Sequence, residues 1–282
     1  MIEFVKMQGA GNDYIYLDCL DSAPPADPAG LSRRMSDRHF GVGGDGLILL
    51  LPPQAGPAHC RMRMFNADGS ESEMCGNGIR CLAKLAWESG KLRVNPLLVE
   101  TGAGLLKLEL HVTNGAVHSA TVNMGPPRFS PAEIGVKLEG DRIFDRPIKA
   151  LDRTFGITCV SMGNPHSVIF LDEPVEQFPV ERYGRAIEND PLFTNRTNVE
   201  FVNVKGDNRL RQRTWERGSG ETLACGTGAS AVAVAGITTG RCRPGTVEVE
   251  LNGGKLSIRW REGEHVLMTG PAVEVFRGRW PE

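Results

Sequence analysis

Two cysteines occupy equivalent places in two stretches of the sequence. Cys75 is followed by Gly76-Asn77-Gly78, and 150 residues later Cys225 is followed by Gly226-Thr227-Gly228. In both stretches apolar residues then recur at the i, i+3, i+4, i+7 spacing of a helix. A cysteine at a helix N-terminus lies beside free backbone amides and the positive end of the helix dipole, which favour a thiolate. The helix end alone could lower the thiol pKa from about 8.5 to about 7, a value suited to acid–base catalysis.

A cysteine is also a small hydrophobic residue that is often buried without any chemical role. The shared position argues against that interpretation for Cys75 and Cys225. It stands for the other cysteines, which lack this context: Cys19, Cys60, Cys81, Cys159 and Cys242. One cysteine at a helix start could be a nucleophile. Two symmetric ones suit proton transfer better, with one thiolate as base and one thiol as acid.

The sequence around the two cysteines is repeated. Each half has a Gly-Asn turn that leads into an apolar strand, later strands, the cysteine helix and a hairpin whose glycines, Gly104 and Gly254, are again 150 residues apart. The halves close on Gly125-Pro126 and Gly270-Pro271. We therefore predict a duplicated domain, each copy mostly strands with one central helix. The N-terminal repeat would cover residues 1–127 and the C-terminal repeat residues 128–270.

Composition excludes several classes of function. The chain has 282 residues, a net charge of −2 and a pI near 6.3, which give no electrostatic case for binding nucleic acid or an anionic membrane. We expect no membrane span, because the most apolar window, residues 223–239, is rich in glycine and alanine. The N-terminus shows no secretory signal. Seven scattered cysteines then indicate a reducing cytoplasm rather than a disulfide scaffold, and their spacing does not favour zinc.

The glycine-rich string Gly41-Val42-Gly43-Gly44-Asp45-Gly46 matches the G-x-G-x-x-G pattern of dinucleotide-binding proteins. In that pattern a strand precedes the glycines and a helix follows, so that phosphate meets the helix amides. Here a charged helical stretch, residues 33–39, precedes them and an apolar strand, residues 47–50, follows. Because the order is reversed, we do not expect a nucleotide site.

Several polar residues lie beside turns or strand ends near the cysteines. Each asparagine alone is typical of a turn or a cap, but as a set they could hold a carboxylate and an ammonium group. The set consists of Asn12, Asn66, Asn164 and Asn198. Arg217 is the best candidate for a bidentate carboxylate clamp. Glu216 and His166 could bind an ammonium group or tune the thiols.

Together these motifs resemble the diaminopimelate epimerase family. The resemblance runs from the first turn to Gly270-Pro271 and rests on seven motifs in the family's order: residues 8–13, 65–70, 74–80, 163–166, 197–201, 215–218 and 224–228. It implies an α+β fold of two pseudo-symmetric domains, each a mostly antiparallel β-sheet or barrel wrapped around a central helix. The last strand, residues 271–282, would pack with the N-terminal domain. It also implies a homodimer that epimerises LL-diaminopimelate to meso-diaminopimelate, with neither cofactor nor metal, in lysine and peptidoglycan precursor synthesis.

The resemblance also implies roles for individual residues. Cys75 and Cys225 would be the acid/base pair on opposite faces of the reacting carbon, and His166 and Glu216 would tune their pKa values. Substrate would be bound by Asn12, Asn66, Gly76, Asn77, Asn164, Asn198, Glu216, Arg217, Gly226 and Thr227. Some family members carry glutamine where this chain has Gly46, so this chain cannot make that side-chain contact.

Two other hypotheses stay open on the sequence. A related two-cysteine racemase would act on proline or hydroxyproline, although Glu216-Arg217 and the asparagines favour a second zwitterionic substrate end. A non-catalytic thiol protein, redox-sensing or metal-binding, would use the same cysteines without exchanging any Cα hydrogen.

Overall fold

The computed structural model describes residues 1–54 and 56–281. The chain divides into two compact units. One contains Met1–Asn123 and Thr269–Glu282, and the other contains Met124–Met268. In each unit strands outnumber helices and one 13-residue helix lies among them, so the α+β class expected from the sequence is confirmed.

Most helices and strands of the first unit lie in the N-terminal segment of the chain. Its elements are β1 (Ile2–Gly9), β2 (Asn12–Asp18), α1 (Pro28–Ser36), β3 (Gly46–Leu51), β4 (Cys60–Asn66), β5 (Glu71–Ser72), α2 (Gly76–Glu88), β6 (Leu97–Thr101), β7 (Gly104–Thr113) and β8 (Ala116–Asn123). The chain enters the unit again at the end of β17 (Leu267–Pro271) and finishes in β18 (Val273–Trp280), which pairs antiparallel with β1.

The second unit follows a similar order after a short first helix. Its elements are α3 (Pro131–Ile134), β9 (Arg146–Ala150), β10 (Arg153–Ser161), β11 (Pro165–Phe170), a 3-10 turn (Val175–Gln177), α4 (Val180–Glu188), β12 (Asn198–Gly206), β13 (Arg209–Glu216), β14 (Gly220–Thr222), α5 (Gly226–Thr238), β15 (Gly245–Leu251) and β16 (Gly254–Trp260).

The strands of the two units pair in the same sequence of directions. In the first unit β1–β2 is antiparallel, β2–β3 parallel, β3–β4 antiparallel, β4–β6 parallel and β6–β7 antiparallel. In the second unit β10–β11, β11–β12, β12–β13, β13–β15 and β15–β16 repeat those directions in that order. A parallel pair needs a crossover connection. The helix α2 lies in the crossover between β4 and β6, and α5 lies in the crossover between β13 and β15.

The helices α2 and α5 are the central elements of their units. The helix α2 packs against β1, β2 and β8, and its Ile79 and Leu82 are fully buried, each contributing about 1.5–3 kcal/mol of hydrophobic stabilisation. The helix α5 is apolar on all sides, as expected for a helix surrounded by strands. Both end where the sequence predicts, with Gly90 (φ 79°) and Gly240 (φ 73°) following in the left-handed conformation. In the part of the chain that the structure describes, no helix is long and apolar enough to cross a membrane.

Candidate active site

Cys75 is the N-cap of α2. Its backbone is extended (φ −132°, ψ 119°), and its Sγ accepts a hydrogen bond from the amide of Gly78 at 3.4 Å. This is the geometry in which serine or aspartate usually caps a helix, with sulfur in place of oxygen. The residue as a whole is half-buried. The cap therefore places its sulfur at the positive end of the helix.

Cys225 is the N-cap of α5 in the same way. Its φ and ψ are −125° and 112°, and its Sγ accepts from the amide of Gly228 at 3.3 Å. The hydroxyl of Thr227 adds a contact of 3.4 Å to the sulfur. Cys225 is 5% exposed and therefore buried, whereas Cys75 is half-buried.

The expectation of a lowered thiol pKa is wrong for Cys225. Burial raises the pKa of Cys225 well above its ordinary value of 9.0, and the negative charges of Glu216 and Glu200 raise it further. The hydrogen bonds from Thr227 and Gly228 act in the opposite direction but are smaller. The helix start is visible in the sequence, but the desolvation of the thiol and the nearby carboxylates, which raise its pKa, depend on the fold. Burial and the two carboxylates therefore favour the thiol form of Cys225 over the thiolate in this conformation.

Two of the predicted binding residues meet beside α2. The side-chain Nδ2 of Asn77 donates to the Oδ1 of Asn12 at 2.5 Å. The Nδ2 of Asn12 donates in turn to the Oδ2 of Asp45 at 3.2 Å, and Arg38 donates to the other oxygen of Asp45 at 3.0 Å. Asn12 is thus held on both sides of its amide. Asn66, in contrast, bonds through its Nδ2 to the hydroxyl of Ser70 at 2.9 Å, within the turn that follows β4.

In the second unit three predicted residues lie beside Cys225. Asn164 donates from its Nδ2 to the hydroxyl oxygen of Thr227 at 3.3 Å. The Nε2 of His166 lies 3.0 Å from the Oδ1 of Asn164. The other ring nitrogen of His166 lies 2.7 Å from the carboxylate of Glu200, and both of these side chains are fully buried. His166 is therefore connected to the cysteine through Asn164 and Thr227.

Three further predicted residues lie at or just after the end of β13 and at the start of β12. The Oδ1 of Asn198 accepts from the backbone amide of Arg217 at 2.9 Å, and the Arg217 guanidinium donates to the Asn195 carbonyl at 2.8 Å. The carboxylate of Glu216 accepts from the hydroxyl of Thr222 at 2.6 Å. Burial raises the pKa of Glu216 above its ordinary value of 4.5, and nearby Glu200 adds to the shift.

Three residues near the site were not predicted. Asp45 lies in the glycine-rich string, which gives no sign that it orients Asn12. Glu200 lies in the motif of residues 197–201, but the sequence of an apolar strand does not show which residue a carboxylate in it contacts. Gln212 donates to Glu200 at 2.8 Å and lies on β13, where nothing in the sequence marks it. Only the fold brings these side chains to the predicted residues.

Gly46 leaves no room for a side chain. A Cβ built on Gly46 would lie 2.1 Å from the carbonyl oxygen of Phe65, across the β3–β4 pair. Among the residues that the structure describes, no group of three or more His, Cys, Asp or Glu is arranged to hold a metal ion.

Sequence comparison places the chain among proteins of one kind. The family model described as diaminopimelate epimerase matches residues 4–130 and 158–275. The chain is 49% identical over 281 residues to a diaminopimelate epimerase of Moorella thermoacetica, covering 99% of both chains. It is 47% identical over 279 residues to that of Leptospira biflexa, covering 98% of both.

Solved structures share the fold at much lower identity. A probable proline racemase from Agrobacterium radiobacter superposes with a TM-score of 0.69 at 16% identity, covering 100% of this chain and 93% of that one. A hydroxyproline epimerase from Agrobacterium vitis gives 0.68 at 18% identity, covering 98% and 91%. At these identities the likeness concerns the fold alone, whereas the sequence matches span nearly the whole chain. The chain therefore belongs to the diaminopimelate epimerase family.

Proposed function

We propose that this protein epimerises LL-diaminopimelate to meso-diaminopimelate without a cofactor, using Cys75 and Cys225 as its acid/base pair. The observation that carries the proposal is the repeated cap: each unit starts its central helix on a cysteine whose sulfur accepts a glycine amide. Family membership supports the substrate, since the relatives named above are diaminopimelate epimerases over almost their full length.

Inversion at Cα requires a base on one face of the carbon and an acid on the other. One thiolate takes the Cα proton, the electron pair stays on Cα and spreads into the carboxylate, and the other thiol returns a proton from the opposite face. The raised pKa of Cys225 suits the thiol that donates first, which assigns the first deprotonation to Cys75. The two residues exchange protonation states in each turnover, and the reverse reaction starts from the exchanged pair.

Backbone amides at the helix starts would stabilise the carbanion. The residues that follow the two caps are Gly76-Asn77 and Gly226-Thr227, and the first amides of a helix have no partner within it. Aimed at the α-carboxylate, they would stabilise the charge that develops there without reorganising during the reaction. This is the largest contribution that we assign to the fold.

We assign recognition of the substrate's distal end to polar side chains in both units. The arginine clamp is Arg217, whose backbone is fixed by Asn198 and whose guanidinium lies beside Asn195. The ammonium group would be held by carboxylate and amide oxygens. The residues proposed for this distal end are Asn12, Asn66, Asn164, Asn198, Glu216 and Arg217. His166 and Glu216 would also set the pKa of Cys225.

The test is conversion of LL-diaminopimelate followed by chiral separation under reducing conditions, with L-proline and trans-4-hydroxy-L-proline in parallel reactions. We expect meso-diaminopimelate to form and the two prolines to remain unchanged. Turnover of a proline alone would contradict the proposed substrate. No turnover of any of the three, with the thiols intact, would contradict the proposed reaction.

We further propose a cytoplasmic homodimer in which the two units are copies of one duplicated domain. Cys19, Cys60, Cys81, Cys159, Cys225 and Cys242 are thiols outside any disulfide, which suits a reducing compartment. The strand β18 carries exposed Val273, Val275 and Phe276, an apolar surface of the kind that a second copy covers. The matching strand directions support the duplication. Light scattering of the purified protein tests the dimer, and a Phe276→Glu variant should favour the monomer.

A further inference from the structure

A line of polar side chains leads from a buried carboxylate to the sulfur of Cys225. Glu200 contacts the Nδ1 of His166 at 2.7 Å, and the Nε2 of His166 contacts the Oδ1 of Asn164 at 3.0 Å. The Nδ2 of Asn164 then contacts the Thr227 hydroxyl at 3.3 Å, and that hydroxyl contacts Cys225 at 3.4 Å. We call these four contacts the Glu200 chain.

The chemistry of the groups gives the chain a direction. An amide oxygen can only accept, so the Nε2 of His166 must carry the hydrogen in its contact with Asn164. The Nδ1 of His166 and the Glu200 carboxylate then have one hydrogen between them. The second oxygen of Glu200 accepts from the Nε2 of Gln212 at 2.8 Å. Both ends of the Glu200 carboxylate are therefore occupied.

The direction continues through the asparagine to the hydroxyl. Because the Oδ1 of Asn164 faces His166, its Nδ2 faces Thr227 and donates to the hydroxyl oxygen. In the contact between Thr227 and Cys225 either atom can donate while Cys225 is a thiol. Once Cys225 is a thiolate its sulfur can only accept, and the Thr227 hydroxyl then donates to it while its oxygen accepts from Asn164. A donor aimed at sulfur stabilises the thiolate more than the thiol.

Packing holds the start of the chain in place. Glu200 and His166 are both 0% exposed, so neither can turn to solvent. Glu200 lies directly under the start of α5, where a Cβ built on Gly228 would be only 2.6 Å from the Glu200 Oε1. The same glycine that donates to Cys225 thus makes room for the carboxylate.

We propose that Glu200 is a positioning residue that fixes the direction of the Glu200 chain, so that Thr227 donates its hydroxyl hydrogen to the Cys225 sulfur when Cys225 is a thiolate. Through these hydrogen bonds Glu200 offsets part of the effect that its own charge has on the same thiol. The inference deepens the proposed function, because it concerns how Cys225 gives up its proton. It needs no turnover to be tested.

The first test uses the unaltered protein and the ¹⁵N NMR signals of its histidine rings, with His166 identified from a His166→Gln variant. We expect the Nε2 of His166 to carry a hydrogen and the Nδ1 to show a strong hydrogen bond. A neutral ring with its hydrogen on Nδ1 and a bare Nε2 would overturn the proposal, since such a ring cannot donate to Asn164.

The second test measures iodoacetamide alkylation at pH 8 by peptide mass spectrometry. The rate for each cysteine follows its thiolate fraction and its accessibility. Glu200→Met removes the hydrogen bonds at the start of the Glu200 chain but keeps a side chain of similar length. Glu200→Gln preserves it, because the amide can donate to His166 and accept from Gln212. Alkylation of the buried Cys159 monitors opening of the fold. Cys75, which is not part of the Glu200 chain, is the comparison thiol.

Glu200→Met also removes the charge that acts on Cys225, along with any effect of Glu216 and His166 that depends on it. The substitution is therefore made with Thr227 present and in a Thr227→Val background, where only the charge effect remains. The effect of Glu200→Met is the Cys225 alkylation rate of the Met variant divided by the rate with Glu200. We expect this ratio to be about tenfold lower with Thr227 than with Val at position 227, a difference of about one pKa unit.

Glu200→Gln should show no such coupling to Thr227. Equal factors for Glu200→Met in the two backgrounds, with Cys159 still protected, would overturn the proposal. If the Met variant opens, as Cys159 alkylation would show, the histidine spectrum of the unaltered protein still decides the matter. Failure of the epimerase reaction would leave both measurements unaffected, so the two proposals fail separately.

Discussion

The amide nitrogen of Gly228 lies 3.3 Å from the sulfur of Cys225 and donates to it. Gly78 and Cys75 repeat the bond at 3.4 Å. In each unit the thiol thus replaces the oxygen that normally caps a helix. The bond fixes the sulfur at the positive end of the helix, where the helix dipole favours a negative charge.

Neither thiol can be spared if one accepts the proton and the other returns it. We expect Cys75→Ala and Cys225→Ala each to lower kcat for epimerisation by about a thousandfold or more, within the range of general acid–base catalysis. The assay is chiral separation of the diaminopimelate isomers. Cys242→Ala is the matched control, because that buried cysteine caps no helix and should keep its activity. Near-normal turnover by either single variant would exclude the two-thiol scheme.

Arg217 should contribute to binding rather than to the chemical step. Lysine at this position keeps the charge but cannot form the paired hydrogen bonds that a guanidinium makes with a carboxylate. We expect Arg217→Lys to raise KM for LL-diaminopimelate about tenfold with a smaller effect on kcat. Arg196→Lys, at an exposed arginine paired with Glu188, is the control. A loss confined to kcat would argue against the clamp.

Buried thiols make stability fall at alkaline pH. Burial raises the pKa of Cys159 from 9.0 to about 12. Between these values the unfolded chain ionises while the folded protein stays protonated, so unfolding releases a proton and the free energy of unfolding decreases as pH rises. The slope is about 1.4 kcal/mol per pH unit for this residue. Urea unfolding from pH 9 to 10.5 should show a flatter slope in Cys159→Ala, and an unchanged slope would disprove the assignment.

Gly46 should not tolerate a side chain. The Cβ of Gly46→Ala would lie 2.1 Å from the Phe65 carbonyl oxygen, which forces the β3–β4 pair apart and costs about 1–3 kcal/mol of unfolding free energy. Gly156→Ala in β10 is the control, because its Cβ would make only ordinary contacts at 3.5 Å and should change stability by less than about 1 kcal/mol. Equal stability of the two variants in urea would show that the backbone at Gly46 adapts.

Much of the fold could be read from the sequence because the pattern occurs twice. The spacing after Cys75 and Cys225 predicts two helices, and both are present with the predicted glycine stops. The helix predicted over residues 33–39 instead covers Pro28–Ser36, because Asp27 caps it and Pro28 starts it. These local signals were in the sequence, but the apolar spacing alone did not place the ends.

The environment of the site could not be read in the same way. The pKa of Cys225 depends on burial and on Glu216 and Glu200, which only the folded strands bring to it. Glu200 lies in an apolar strand and meets His166 across the parallel β11–β12 pair. A sequence shows which residues can do chemistry, but distances between strands decide which of them share a proton.

The most direct test of the account follows deuterium during the first few per cent of LL-diaminopimelate conversion in D2O. If the two thiols have opposite protonation states, the newly formed meso isomer carries deuterium at the inverted carbon and the recovered LL substrate carries almost none. The reason is that the base that removes the proton is not the acid that returns one. NMR of the separated isomers measures both. Equal labelling of recovered substrate and product would show that one group acts on both faces, and would contradict the assignment of Cys75 and Cys225.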